Sequence, residues 1–174
     1  MNKLNLPDGK YWDQLHRADG QVINFGWRSN VIVDQCRELL AAFMVGDTAS
    51  GIQHISLGRG DEAWDSLPYE APVASTMSLE DTAAHNIAVT DAAMSLSYLD
   101  PAGATSTDVY PRIEASITIE GSSLPILPTE TFALREFALF GQLNGSDYMI
   151  DYVRHGVIHI GVGDTLTRRV RLVF

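Results

Sequence analysis

The chain has 174 residues, of which 45% are hydrophobic and 20% charged, a length and balance that suit one packed domain and argue against disorder. Twelve Lys and Arg stand against 22 Asp and Glu, a formal net charge of -10. That argues against a nucleic-acid partner, which normally meets a basic stripe. No apolar run reaches the roughly 18 to 20 residues of a membrane helix, no apolar segment follows Lys3 and Lys10 as in a secretory signal, and the single cysteine excludes an intrachain disulfide.

Residues 1–29 are expected to form an extended N-terminal arm. Turn signals at Pro7-Asp8-Gly9 and Asp19-Gly20 flank Tyr11, Trp12 and Leu15. Val22, Ile23, Phe25 and Trp27 then predict a short strand with Phe25 and Trp27 on one face. Tyr11, Trp12, Phe25 and Trp27 are the candidate assembly-interface residues. So many large aromatic side chains in a short segment need a surface to cover, in the same chain or on a neighbouring subunit.

Residues 30–174 read as one β-rich domain. Asn30 is a candidate N-cap. Val33, Cys36, Arg37, Leu40 and Met44 follow at three- and four-residue spacing and Gly46 supplies a stop, which predicts a helix over 31–45. Alternation over 52–57 predicts a strand, broken by Gly58-Arg59-Gly60-Asp61, and 65–77 reads as loop. A strand is expected over 89–99. Over 112–120 Ile113, Ala115, Ile117 and Ile119 alternate cleanly with polar residues. A strand over 132–140 places Phe132, Leu134, Glu136, Ala138 and Phe140 on one face. Asn144-Gly145 predicts a hairpin turn, 148–160 a strand interrupted by Gly156, and 166–174 a closing strand with Leu166, Arg168, Val170, Leu172 and Phe174 in one row. The fold class is therefore mainly β with one N-terminal helix (α+β), an antiparallel β-sandwich-like domain preceded by the arm.

No catalytic or metal-binding set assembles from these residues. His155 and His159 would share a strand face but stand about 13 Å apart, too far for one ion. Gly-x-Ser-x-Gly and Ser-x-x-Lys are absent. Cys36 sits in the helix stripe as a small hydrophobe. Residues 58–61 lack the Lys-Ser/Thr of a phosphate loop. The segment Gly58-Arg59-Gly60-Asp61, which contains the tripeptide Arg59-Gly60-Asp61, reads as a tight turn with its glycines at positive φ. Arg168, Arg169 and Arg171 are expected to pair with carboxylates. An enzyme, a cofactor and a metal are therefore not expected. Trp64 and Tyr69, in the long loop region, are candidate surface-recognition residues because flat rings stack on sugars; the alternative is that they anchor the loop to the core.

Three patches resemble a group of bacteriophage tail-associated proteins. They are residues 30–41 (NVIVDQCRELLA) with the following strand and Gly58-Arg59-Gly60 turn, residues 134–141 (LREFALFG), and residues 163–174 (GDTLTRRVRLVF). The resemblance implies a structural part of a tail, tail fibre or baseplate, of a phage or a phage-like contractile injection system. It implies self-assembly as a homo-oligomer, docking to other tail or baseplate proteins, and a place in the virion tail or injection particle after synthesis in the bacterial host cytoplasm. It carries over no catalytic residue. The alternative is a module that binds carbohydrate or protein at a host surface.

Overall fold

The computed structural model describes residues 7–66 and 70–174. Along the chain run β1 (Asp8–His16), β2 (Val22–Ser29), β3 (Val31–Ile32), α1 (Asp34–Val45), β4 (Ala49–Gly58), a 3-10 turn (Glu62–Asp65), β5 (His85–Ala88) and β6 (Met94–Leu99). They are followed by β7 (Thr105–Ser106), β8 (Arg112–Glu120), a 3-10 turn (Gly121–Ser123), β9 (Thr131–Leu143), β10 (Ser146–Met149), β11 (Asp151–Gly161) and β12 (Thr165–Val173). Two antiparallel sheets result. The first has the order β2-β1-β12-β8-β6-β7; the second has β3-β11-β9-β4-β5, with β10 paired to β9. The mainly β, one-helix, sandwich-like architecture expected from the sequence is what the chain adopts.

The core lies between the sheets. Leu15, Ile117, Ile119, Leu166 and Val170 from the first meet Ile55, Leu57, Phe132, Leu134, Phe137 and Leu139 from the second, all fully buried. Each such side chain contributes about 1.5–3 kcal/mol relative to exposure. The clean alternations of β8 and β12 supply one wall, with Ala115, Ile117 and Ile119 buried on β8. The β9–β10 hairpin turns on Asn144 (φ 51) and Gly145 (φ 79), the left-handed pair that a two-residue hairpin requires.

Several expectations change. Residues 8–29 are not a free arm: β1 lies inside the first sheet, paired to β12 from Asp8↔Val173 to His16↔Thr165 and to β2 on its other side. Its alternation is Tyr11, Asp13 and Leu15 inward. The aspartate in that row hid the pattern. Phe25 and Trp27 do not share a face, because a bulge at Gly26 (φ 73) shifts the β1–β2 register, turning Phe25 toward the core cluster and leaving Trp27 outside.

The helix begins three residues later than predicted. β-branched Val31 and Ile32 pair with β11 instead, and Val33, extended, stands at the N-cap. Asn30 caps nothing; its Nδ2 donates to Asp151 Oδ2 at 2.6 Å. The C-terminus matches: Gly46 adopts φ 84 and the Asp47 N–H donates to Ala42 O at 3.0 Å. The expected strand over 89–99 is realised only as β6 (Met94–Leu99): β5 ends at Ala88, and Asp91 accepts from the Ala93 N–H (2.9 Å) in a side-chain turn that carries the chain from the second sheet to the first.

On β9 the alternation inverts at Arg135-Glu136. Phe137 and Leu139 join Phe132 and Leu134 in the core, while Ala138 packs on the opposite face with Val33, Met149 and Tyr152. β11 inverts at the same level, through an irregularity between Arg154 and Ile158. As a result His155 points inward and is buried while His159 is exposed, so the two histidines do not share a face.

Candidate functional site

A polar cluster sits at the centre of the sandwich. Asp13 and Arg168 are cross-strand partners on β1 and β12. Arg168 Nε and Nη2 donate to the two carboxylate oxygens of Asp13, each at 2.7 Å, a fork-to-fork pair. Nη2 also lies 3.1 Å from His155 Nε2, and the guanidinium carbon stands 3.8 Å from the centre of the Phe137 ring. Since Arg168 can only donate, Nε2 accepts, and the ring proton belongs on Nδ1, 2.7 Å from Gly156 O. Burial, and then the Arg168 charge, holds the imidazole down to about 4, so it is neutral at ordinary pH. Exposure is 1% for Asp13, 1% for His155 and 0% for Arg168. A substrate cannot reach this cluster as it stands; what it does is tie β1, β12 and β11 together across the two sheets.

Two further buried networks fasten segments to the second sheet. Asp151 accepts from the Leu139 N–H (2.7 Å) and from Asn30, and burial pushes its carboxyl up to about 6. Arg135 forks onto Asp65 through Nε (2.9 Å) and Nη2 (2.7 Å). Glu136 accepts from the Glu80 and Asp81 N–H groups and from the Tyr152 hydroxyl. Arg135 and Glu136 thus clasp the loop that leads from β4 to β5. Among the described residues no group of three His, Cys, Asp or Glu is placed to hold a metal ion, and no helix is long and apolar enough to cross a membrane.

Of the four candidate interface aromatics, the structure brings two together. Trp12 and Trp27 are direct cross-strand partners on the outer face of the first sheet. Trp12 is half-buried, with the Arg169 guanidinium 5.3 Å from its ring centre. Trp27 is 41% exposed, with Arg171 at 4.5 Å and Lys10 Nζ at 4.9 Å. Tyr11 is in the core, edge-on to Phe137 at 5.3 Å. Phe25 packs against the core beneath Arg28. The arginines of β12 divide as follows: Arg168 pairs with Asp13, Arg171 Nε donates to Glu114 Oε2 at 2.7 Å, and Arg169 lies over Trp12.

The loop candidates fare differently. Trp64 is buried, with Arg154 4.5 Å from its ring centre, so it anchors the loop. Tyr69 lies outside the described residues. The Arg59-Gly60-Asp61 turn is engaged internally. The Arg59 N–H donates to Asp81 Oδ2, its carbonyl accepts from Arg135 Nη1, and Asp61 caps the 3-10 turn through the Ala63 N–H. Gly60 has φ 57, and a Cβ there would meet the Trp64 ring at 2.4 Å. Gly58 is not at positive φ; its requirement is close approach, since a Cβ would stand 2.5 Å from the Glu136 carboxylate. Cys36 is buried, and burial pushes its thiol up to about 11, which disfavours the thiolate.

Two surface features went unread in the sequence. One is an apolar band. Leu40, Phe43 and Met44 form an outward stripe on α1, exposed by 41%, 64% and 84%. Leu40 and Phe174 border an apolar groove of about 110 Å³ floored by Leu39, Ile52 and Leu172. Ile113 joins that groove to a second depression bordered by Leu96 and Tyr98, both exposed. The other is a depression of about 210 Å³ at one end of the first sheet, where Lys10, Arg112 and Arg171 converge. Leu40 and Met44 stood in the helix's periodic row, but which side of α1 the sheet covers, and the convergence of the other residues, are set by tertiary packing of distant segments. Comparison with protein families, curated proteins and solved structures returns no match.

Proposed function

We propose that the chain is a structural subunit of a phage or phage-like tail (tail fibre, baseplate or attachment component) that acts by self-assembly and docking to other tail proteins. The observation that carries this reading is the apolar band. Taking about 150–250 Å² for each large side chain, the open fractions of Leu40, Phe43, Met44, Phe174, Leu96 and Tyr98 leave on the order of 600 Å² exposed. That reaches the top of the range for a monomer, about 300–600 Å², and is most of the about 800 Å² that each partner contributes to a standard interface. The occupant that fits is a second copy of the chain. Projecting Phe43 and Met44 stand beside an open groove on the same face, and a two-fold axis would seat the projection of each copy in the groove of the other. The three sequence patches similar to tail proteins add the context of a tail.

Mass photometry and light scattering test the proposal. The wild-type chain is expected to associate into a discrete oligomer. Phe43→Glu with Met44→Glu is expected to weaken association at least about 100-fold with unchanged circular dichroism, since both residues are exposed. A wild-type chain that stays monomeric at millimolar concentration, or an oligomer indifferent to these changes, would overturn it.

A second reading, a module that binds a host surface, is favoured by the paired Trp12 and Trp27 with their cations. With Trp64 buried, the outer face of the first sheet offers a place for such contact.

A further inference from the structure

We propose that the depression formed by Lys10, Arg112 and Arg171, together with the adjoining Trp27, binds the carboxylate of an acidic sugar. Three cations line one hollow of about 210 Å³ in a chain whose formal net charge is -10. Among the described residues one carboxylate pairs with them: Glu114, taken by Arg171 Nε at 2.7 Å. Arg112 donates Nη1 to Pro101 O at 2.9 Å, and its other donors bond no described residue. The same is true of Arg171 Nη1 and Nη2 and of Lys10 Nζ among the described residues. The hollow therefore presents several cationic donors that bond no described residue. A concave site lined by one sign of charge concentrates the opposite sign. Two guanidinium groups suit the planar, two-oxygen geometry of a carboxylate.

The remaining geometry selects the class of molecule that carries the carboxylate. Arg171 and Lys10 both lie against Trp27, so the charged hollow and an exposed indole form one continuous surface. An indole face packs against the apolar C–H face of a pyranose while its carboxylate reaches the cations. Gly103, which takes φ 86 in the turn after β6, also lines the hollow beside the tip of Arg171. The volume falls below the about 300 Å³ at which drug-sized pockets begin, which fits a single uronic or other acidic sugar unit at the end of a glycan.

The proposal does not rest on the assembly reading; it belongs to a different face, and a chain that never oligomerises leaves it intact. Titration followed by Trp fluorescence and amide chemical shifts tests it on the full chain with glucuronate, glucose, acetate and inorganic phosphate as probes. Glucuronate is expected to bind, with glucose, acetate and phosphate each at least about tenfold weaker. Arg112→Ala and Trp27→Ala are each expected to weaken glucuronate by about tenfold or more, from the loss of a charged hydrogen bond and of a stacking face. Arg37→Ala, on α1 away from the hollow, should leave it unchanged. Absence of glucuronate binding, or binding indifferent to both Arg112→Ala and Trp27→Ala, would overturn the site. Equal binding of acetate or phosphate would show a bare anion site and overturn the assignment to a sugar.

Discussion

Asp13→Ala is expected to lower the unfolding free energy by about 3–5 kcal/mol, the range for breaking a buried ion pair by removing one partner. Arg168 is fully buried, its Nη1 has no partner, and Asp13 takes two of its remaining donors. Without Asp13 the guanidinium would stay charged, because it cannot lose its proton in a protein, and would hold only the neutral His155 ring and the face of Phe137. Replacing both partners, as in Asp13→Leu with Arg168→Met, should be milder than the single change, because no charge is left behind. It still leaves His155 Nε2 without a donor, a residual cost of about 1–3 kcal/mol. A double-mutant cycle by urea denaturation measures the coupling. A single Asp13→Ala loss below about 1 kcal/mol would mean that water or a rearranged side chain compensates and that the cluster is not sealed.

The same pair explains what the sequence could and could not disclose. β8 and β12 were legible because their inward rows are apolar or long; Arg168 fell in the inward row of β12 by alternation alone. β1 was not, because Asp13 occupies an inward position and its partner lies at the other end of the chain. The Gly46 stop and the Asn144-Gly145 turn were legible because each needs a left-handed backbone that few residues adopt. The β9 and β11 inversions were not, because the bulge depends on how two strands meet, and a run such as Leu134-Arg135-Glu136-Phe137 fits either phase until Asp65 and the Glu80–Asp81 amides are placed around it. Trp12 and Trp27 could be named as candidates, but their pairing is set by strand register. Lys10, Arg112 and Arg171 come from three strands and meet only once the first sheet is assembled. For Trp64 the loop pattern left surface contact and anchoring both open, and its packing beneath Arg154 decides for the anchor.

Acid titration is expected to separate two buried groups that oppose each other in the intact protein. His155 sits at about 4 in the fold because burial, then Arg168, disfavours its charge, against about 6.5 when unfolded. Its contribution is present above about 6.5 and is lost as pH falls toward 4, since the unfolded chain takes up the proton first. Asp151 sits at about 6 because burial raises it, against the bonds from Leu139 and Asn30 and the more distant Arg168 charge that lower it; unfolded, it titrates near 3.9. Its fold prefers the protonated acid, so stability is gained as pH falls from about 6 to 4. Each shift corresponds to about 3 kcal/mol, and between pH 6 and 4 they largely cancel. Asp151→Asn keeps an acceptor for the Leu139 N–H and removes the compensating proton. Its stability should therefore fall by about 3 kcal/mol relative to wild type as pH drops from 6.5 to 4. His155→Gln should show the opposite slope. His54 and His85, whose pKa values burial also lowers, act alike in all three proteins and leave the difference intact. Urea midpoints at half-unit pH steps give the comparison, and an Asp151→Asn curve parallel to wild type would show that Asp151 is ionised in the fold throughout the range.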